Sequence, residues 1–461
     1  MVLPASVAGS ARRRVRRLRS RLRMPSASSI LRSRTRPFAL AAAVVLVGIG
    51  AGLAGMALGL LLHAVQHLAY GYGALDHESF LQGASAAPPW RRVAALLMAG
   101  VVAGVGWWAL RRYGRRLVSV RDAVGAAAPG QAMPVGSTIV HVLLQIVTVG
   151  LGSPLGREVA PREAGALLAG SVARWMGLTA AQCRALVACG AGAGLAAVYN
   201  VPLAGALFVL EVLLGTFDRG IAVMALASSA IAAAVAWTGL GVQQQYALGP
   251  IALDWPLAMA ACVAGPLFGL AGQAFARATS AARAAAPRGA ALPFVALLNF
   301  AGIACLAVVL PALLGNGKGP VQLSLDASLP LGMAVLLLGL RVLITLSTLR
   351  SGAQGGLLTP GLAVGALLAL VLAHCADAWS ATPWLDPAAF ALIGATAFLA
   401  VSMNMPLTAL VLMLEFTHAP LQMLVPQALA VAGATAAARW NAQRIERASS
   451  RRDAAHIAGK H

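Results

Sequence analysis

The amino-acid sequence predicts an all-α polytopic membrane protein built from two repeated halves and containing many short, tilted and broken helices. Three observations carry this expectation. Mean hydropathy is +0.79 over 461 residues, and 59% of the chain is hydrophobic against 11% charged, so the bilayer is the solvent to which the chain is matched. The apolar runs are interrupted repeatedly by the 49 glycines and 24 prolines. Finally, "NVPLAGALFVLE" at 200–211 returns as "NMPLTALVLMLE" at 404–415, offset by 204 residues at every matched position.

Taken in order, residues 1–37 form a basic tail, with eleven arginines and no acid between positions 11 and 37. Much of the formal net charge of +21 is therefore terminal. A polybasic segment next to a membrane span binds anionic lipid and fixes topology, so no nucleic-acid partner is expected. The run from 38 to about 68 is too long, and too well followed by further spans, to be a cleaved signal peptide. If it crosses outward, the stretch to Trp90, with Asp76 and Glu78 and no Lys or Arg, is external. The next run, 93–110, returns to "RRYGRR", whose Arg111, Arg112, Arg115 and Arg116 then face the cytoplasm. Arg444, Arg447, Arg451, Arg452 and Lys460 place the other end there too. The expected organisation is one transmembrane domain at 38–440, with halves at about 38–240 and 253–440. Cytoplasmic tails at 1–37 and 441–461 flank it in a cytoplasmic-type inner membrane.

Beyond residue 116 the apolar runs are uneven: 134–151, 158–175, 180–198, 202–214, 219–240, 253–276, 292–313, 331–348, 356–374, 387–402, 405–417 and 422–440. Several are too short to span hydrocarbon at 1.5 Å per residue. Irregular backbone at membrane depth persists only where it is packed in protein or lines a wet cavity, so broken helices imply a pathway. Each repeat copy is preceded by a Pro–Gly element that opens a helix, "APREAGALLAG" (160–170) and "TPGLAVGALLA" (359–369). Paired halves of this kind place a binding site near the midplane, made from helix ends.

Where a helix starts at such depth, its unpaired amides and positive dipole end attract anions. Candidate starts are "GREVAP" (156–161), "GGLLTP" (355–360) and "LVSVRD" (117–122). They mark Gly156, Arg157, Gly356, Leu357, Leu358 and Ser119 as anion-binding candidates, with Pro161 and Pro360 in first helical turns. Glu158 is the odd group: a carboxylate here competes with the anion and can act as a gate, blocking the site when ionised and leaving it when protonated or swung aside. The plainer reading pairs Glu158 with Arg157 or Arg162. Glu163, one turn on, is expected to be structural, and His141 and His374 to be packing residues without companions. Five cysteines (Cys183, Cys189, Cys262, Cys305, Cys375) without a CxxC pair read as small buried hydrophobes, with no disulfide, metal site or cofactor implied.

At these residues the chain resembles the CLC family of chloride channels and proton-coupled chloride exchangers, over most of residues 38–440. "LGREVAP" is similar to the family's GREGP segment with its gating glutamate, and "CGAGAGLAAVYNVPLAGALFVLE" (189–211) to the helix pair that follows. "GGLLTP" resembles the GxFxP anion loop, "GNGKGP" (315–320) the glycine-rich linker, and "NMPLTALVLMLEFT" (404–417) the late interface helix. The resemblance implies inverted repeats, one pore per subunit and a homodimer. It also implies chloride or similar small anions as cargo, and structural helix-end or interface roles for Pro161, Pro202, Glu211, Pro360, Pro406 and Glu415. Three departures stand out. "LVSVRDAVG" takes the place of the GSGIP loop, which makes Ser119 the coordinating hydroxyl. No tyrosine follows Tyr246, so the family's pore tyrosine is missing. Val212 stands where similar exchangers carry an inner proton-relay glutamate. The balance favours a passive chloride channel gated by Glu158, the alternative being a chloride/proton antiporter with another proton route. A third class, an intramembrane enzyme, has no HExxH, GxSxG or paired aspartates to support it.

Overall fold

Thirty-four residues, Pro37–Tyr70, form the first helix (α1). At 1.5 Å per residue it is about 50 Å long, against a hydrocarbon core of about 30 Å, so it crosses at a tilt. The structure, a computed structural model, describes residues 37–458 apart from 73–78, 126–131, 243, 252 and 379–384. The N-terminal arginine run, the expected external acids Asp76 and Glu78, and Lys460 lie outside the described residues.

The first half continues through α2 (Phe80–Ala86), α3 (Pro89–Tyr113), α4 (Val120–Gly125), α5 (Val135–Gly150), α6 (Val159–Trp175), α7 (Ala180–Tyr199), α8 (Pro202–Phe208) and α9 (Arg219–Leu240). The second comprises α10 (Trp255–Ala284), α11 (Ala291–Val309), α12 (Lys318–Leu325), α13 (Leu331–Arg350), α14 (Leu358–Asp377), α15 (Pro387–Ser402), α16 (Pro406–Thr417) and α17 (Leu424–Ala458). Nine helices among the described residues are long and apolar enough to cross a membrane, and no strand occurs among them. The protein is an all-α, multi-pass membrane protein with short and broken helices between its long ones.

Two boundaries differ from the sequence expectation. The 202–214 run is not one regular helix: α8 gives way at Val209 to a π-helical turn, Val209–Leu214, which ends at Gly215 in the left-handed region (φ 61°). Widened turns of this kind commonly mark functional positions in a helix, and this one carries Glu211. The helix that carries the last apolar run does not stop with it at 440, since α17 continues without a break through a polar stretch to Ala458. The cysteines also differ. Cys189 is buried, but Cys262, Cys305 and Cys375 are exposed, on helices whose outer faces carry Met259, Val263 and Leu298. The hydrocarbon that covers such a surface accommodates a thiol as well as a core does.

The repeat is visible in the hydrogen bonds. Glu415, on α16, accepts from the Leu203 and Ala204 amides at the start of α8, at 2.9 and 2.8 Å. Glu211 accepts from the Leu407 and Thr408 amides at the start of α16, at 2.9 and 2.7 Å, and from the Thr408 hydroxyl at 2.7 Å. Each carboxylate thus satisfies two orphan donors of the other half's helix and meets its positive dipole end. Pro202 and Pro406 open these helices, where a missing N–H and a fixed φ are no liability. Asn200 (φ 57°) and Asn404 (φ 53°) make the tight left-handed turns before them, a conformation Asn tolerates better than most residues. Replacing Glu211 with Ala strands three donors and is expected to cost on the order of 2–3 kcal/mol, read as a lower thermal unfolding midpoint. Glu211→Gln, which keeps an acceptor, should lose less. A midpoint unchanged in Glu211→Ala would remove the cap from the stability argument.

Between these symmetric caps the helices α7, α14 and α15 are buried along nearly their whole lengths. They cross α6 and each other closely because Gly165 lies against the Gly190 carbonyl and Gly365 against the Gly394 carbonyl. Small residues permit such approach between membrane helices. This packed centre holds the starts of α6 and α14 at membrane depth, wrapped in protein.

Candidate functional site

Two loops meet at the centre. The segment leading into α6 and the segment leading into α14 touch through an antiparallel bridge, in which the Gly156 amide donates to the Gly356 carbonyl and the Gly356 amide to the Gly156 carbonyl, both at 2.8 Å. Pro161 and Pro360 are each the third residue of the helix that follows, where proline leaves the hydrogen-bond ladder intact. The bridge sets the two helix starts side by side.

Glu158 immediately precedes α6, with helical dihedrals and no capping bond from its side chain to its own helix. Its carboxylate crosses to the other half instead. Oε1 accepts from the Leu358 amide, the first residue of α14, at 2.7 Å, and Oε2 accepts from the Tyr199 hydroxyl at 3.4 Å. The residue is completely buried. A Cβ at either Gly156 or Gly356 would collide with the carboxylate, so these two glycines form walls that no other residue type could supply. The pairing with Arg157 or Arg162 is not formed: the Arg157 guanidinium lies 5.1 Å from the Tyr199 ring centroid, and that of Arg162 lies 5.0 Å from the Phe208 ring centroid.

Of the sequence candidates, Gly156, Glu158, Gly356 and Leu358 are brought together, with Arg157 beside them over Tyr199. Leu357 precedes the first turn of α14. Ser119 is elsewhere engaged. It is exposed at the start of α4, where its hydroxyl donates to Asp122 at 2.7 Å and accepts from the Asp122 amide. Among the described residues, the contacts of the Glu158 carboxylate do not include it.

Four residues at the centre are not among the sequence candidates, although Tyr199 and Thr359 lie inside the segments 189–211 and 355–360. Tyr199 ends α7, and its hydroxyl lies 3.3 Å from Thr359 Oγ1. Arg341, fully buried on α13, donates to the carbonyls of Leu313 (3.2 Å), Gly315 (2.8 Å) and Pro154 (3.0 Å), fastening the 315–320 linker to the loop before Glu158. Arg283 donates to the Gly355 carbonyl at 2.9 Å. A lone arginine inside the apolar run 331–348 is a signal that would have marked Arg341, because an intramembrane charge is rarely idle. Arg283 closes a helix end and Tyr199 sits inside an apolar repeat, and neither stands out.

Glu163 belongs to a separate group. It accepts from Gln145 Nε2 at 3.1 Å and lies 3.5 Å from His141 Nε2, while the Trp107 indole donates to His141 Nδ1 at 3.0 Å. His141, expected to lack companions, therefore has two, and the Trp107 bond leaves its proton on the nitrogen facing Glu163. His374 has a single contact of this kind, at 2.9 Å from the Leu329 carbonyl.

A buried carboxylate on a helix start, walled by glycines and surrounded by arginines, within paired broken helices, defines a membrane transport protein for small anions. Residues 95–439 match the family described as Voltage gated chloride channel, and the chain belongs to this family, the CLC family of chloride transport proteins. Its members are channels and transporters, not enzymes. The chain is 28% identical over 447 residues to the "H(+)/Cl(-) exchange transporter ClcA" of Cronobacter sakazakii, covering 92% of each. It is 28% identical over 378 residues to the "Voltage-gated ClC-type chloride channel ClcB" of Salmonella dublin, covering 81% of this chain and 89% of that one. Its fold matches that of a slow cyanobacterial Cl-/H+ antiporter with a TM-score of 0.75 at 21% identity, covering 88% of this chain and 95% of that chain.

Proposed function

We propose that the protein is a passive chloride channel in which Glu158 is the gate. The observation that carries this reading is the position of the Glu158 carboxylate, which lies between Gly156 and Gly356 on the first amide of α14. Gly156, Arg157, Gly356, Leu357 and Leu358 supply the dipole ends and positive potential that would draw an anion to the same place. Val212 supports passive conduction. It packs, partly buried, against the apolar cluster around Phe208 and Leu412, and an alkyl group there holds no proton. The second reading, a chloride/proton antiporter, has two supports: the exchange activity named for the ClcA relative, and the buried Glu163–His141 pair as titratable groups away from Val212.

The membrane is a cytoplasmic-type inner membrane, with anionic lipid against the basic tails and both termini in the cytoplasm. The active form is a homodimer joined through α8 and α16, whose Leu203 and Leu407 are 51% and 46% exposed beside Gly and Ala residues suited to close helix contact. Its mass in mild detergent is the check. The transport reading is tested with purified protein in chloride-loaded liposomes: internal chloride should escape when valinomycin lets potassium follow. Retention of chloride by correctly folded protein would reject it.

A further inference from the structure

We propose that the hydroxyls of Tyr199 and Thr359 are the side-chain part of the chloride seat, with Tyr199 donating directly to the anion and Thr359 orienting Tyr199. The inference rests on the reading that Glu158 vacates this seat when the protein conducts. In this structure the Glu158 carboxylate stands in for the anion, because it presents negative charge to the donors that a chloride would face. Those donors are the Leu358 amide, at 2.7 Å, and the Tyr199 hydroxyl, at 3.4 Å.

Three features prepare the pair for this role. Both residues are nearly inaccessible, Tyr199 at 4% and Thr359 at 2%, so with Thr359 as one partner of the Tyr199 hydroxyl, the hydrogen bond it makes to the carboxylate passes to an anion in the seat when the carboxylate departs. Thr359 is free to face Tyr199 for a local reason. Thr359 is the second residue of α14, so Gly355, four residues back, lies outside the helix and the usual threonine back-bond has no helical acceptor there. The ring of Tyr199 is also held from two sides: the Arg157 guanidinium lies 5.1 Å from its centroid and the Phe416 ring 5.3 Å away at 61°. Phe416 is in turn braced by Tyr246, at 5.8 Å. A cation over the ring face withdraws electron density and makes the phenol a better donor. With Tyr199 donating to the anion, Thr359 completes the chain by donating to the tyrosine oxygen, since a hydroxyl both gives and accepts.

The class of ligand follows from the donors. One amide and one hydroxyl, with glycine walls and no cationic nitrogen bonded to the seat, suit a small monovalent anion that tolerates partial dehydration, and a halide fits.

The experiment uses the full chain with Glu158→Ala, which empties the seat, and adds Tyr199→Phe, Thr359→Val or Thr359→Ser. Chloride affinity is read by titration calorimetry, and conduction by valinomycin-released efflux. Tyr199→Phe should weaken chloride binding about tenfold, the scale of one hydrogen bond to a charged group. Thr359→Val should weaken it about threefold, with Thr359→Ser restoring the Glu158→Ala value. Equal chloride affinity in Glu158→Ala and Glu158→Ala/Tyr199→Phe overturns the inference while leaving the gate intact. If the Tyr199→Phe protein does not fold, the threonine series decides alone: Val and Ser behaving alike overturns it. A folded Glu158→Ala protein that neither binds nor conducts chloride overturns the gating reading itself, whatever Tyr199 does.

Discussion

Chloride efflux through Glu158→Ala protein is expected to exceed that of the unmodified chain by roughly tenfold, and to lose its dependence on pH. The carboxylate holds the seat through two hydrogen bonds, one of them charge-assisted to the Leu358 amide at 2.7 Å. A bond of that kind contributes about 1.5–3 kcal/mol, and every 1.4 kcal/mol is about a factor of ten in occupancy. The sign of the pH response follows directly. Only the ionised form of a carboxyl is attracted to the positive end of α14, so on the gating reading efflux through the unmodified protein is expected to rise as pH falls. Glu158→Gln separates charge from volume: the amide fills the same space but does not ionise, so its efflux should be flat with pH whatever its absolute level. Efflux that still responds to pH as in the unmodified protein, measured in both variants, would return Glu158 to a purely structural role.

The second large effect is electrical. With chloride and proton gradients set independently across a planar bilayer, the reversal potential of a passive chloride channel follows chloride alone, by about 59 mV per tenfold gradient for a monovalent ion. Changing pH on one side should leave it in place. Coupled exchange needs protonatable groups reaching Glu158 from both sides, and on the channel reading the inner side lacks one where Val212 packs against apolar residues. A reversal potential that moves with pH at fixed chloride would establish the antiporter reading and direct attention to Glu163 and His141, the pair one turn beyond Glu158.

The repeats, the broken helices and the central position of Glu158 could be read in the sequence because each depends on a local pattern: a 204-residue offset, a Pro–Gly helix start, an acid inside an apolar run. Leu358 was legible for the same reason. Tyr199 and Thr359 were not, because Tyr199 lies 41 residues of chain from Glu158 and 160 from Thr359, and the three meet only once α7 and α14 cross. Ser119 lies apart from the Glu158 carboxylate for a related reason. Counting back from Glu158 places a serine in the right region, but Asp122, three residues on, captures its hydroxyl, a competition that Ser–Asp spacing at helix starts favours. The split of the 202–214 run into α8 and a π turn had no sequence signal either, since the apolar pattern runs through it unchanged.

The exchange of carboxylates between halves bears on how the protein is made. The start of α8 is completed by Glu415, more than 200 residues downstream. At about 5–20 residues per second of synthesis, the ribosome needs on the order of 10–40 s to deliver that side chain after α8 has emerged. Throughout that interval the Leu203 and Ala204 amides have no Glu415 carboxylate to donate to, and the Leu358 donor is not yet translated. Docking of α16 completes the start of α8, and it can come only late in synthesis.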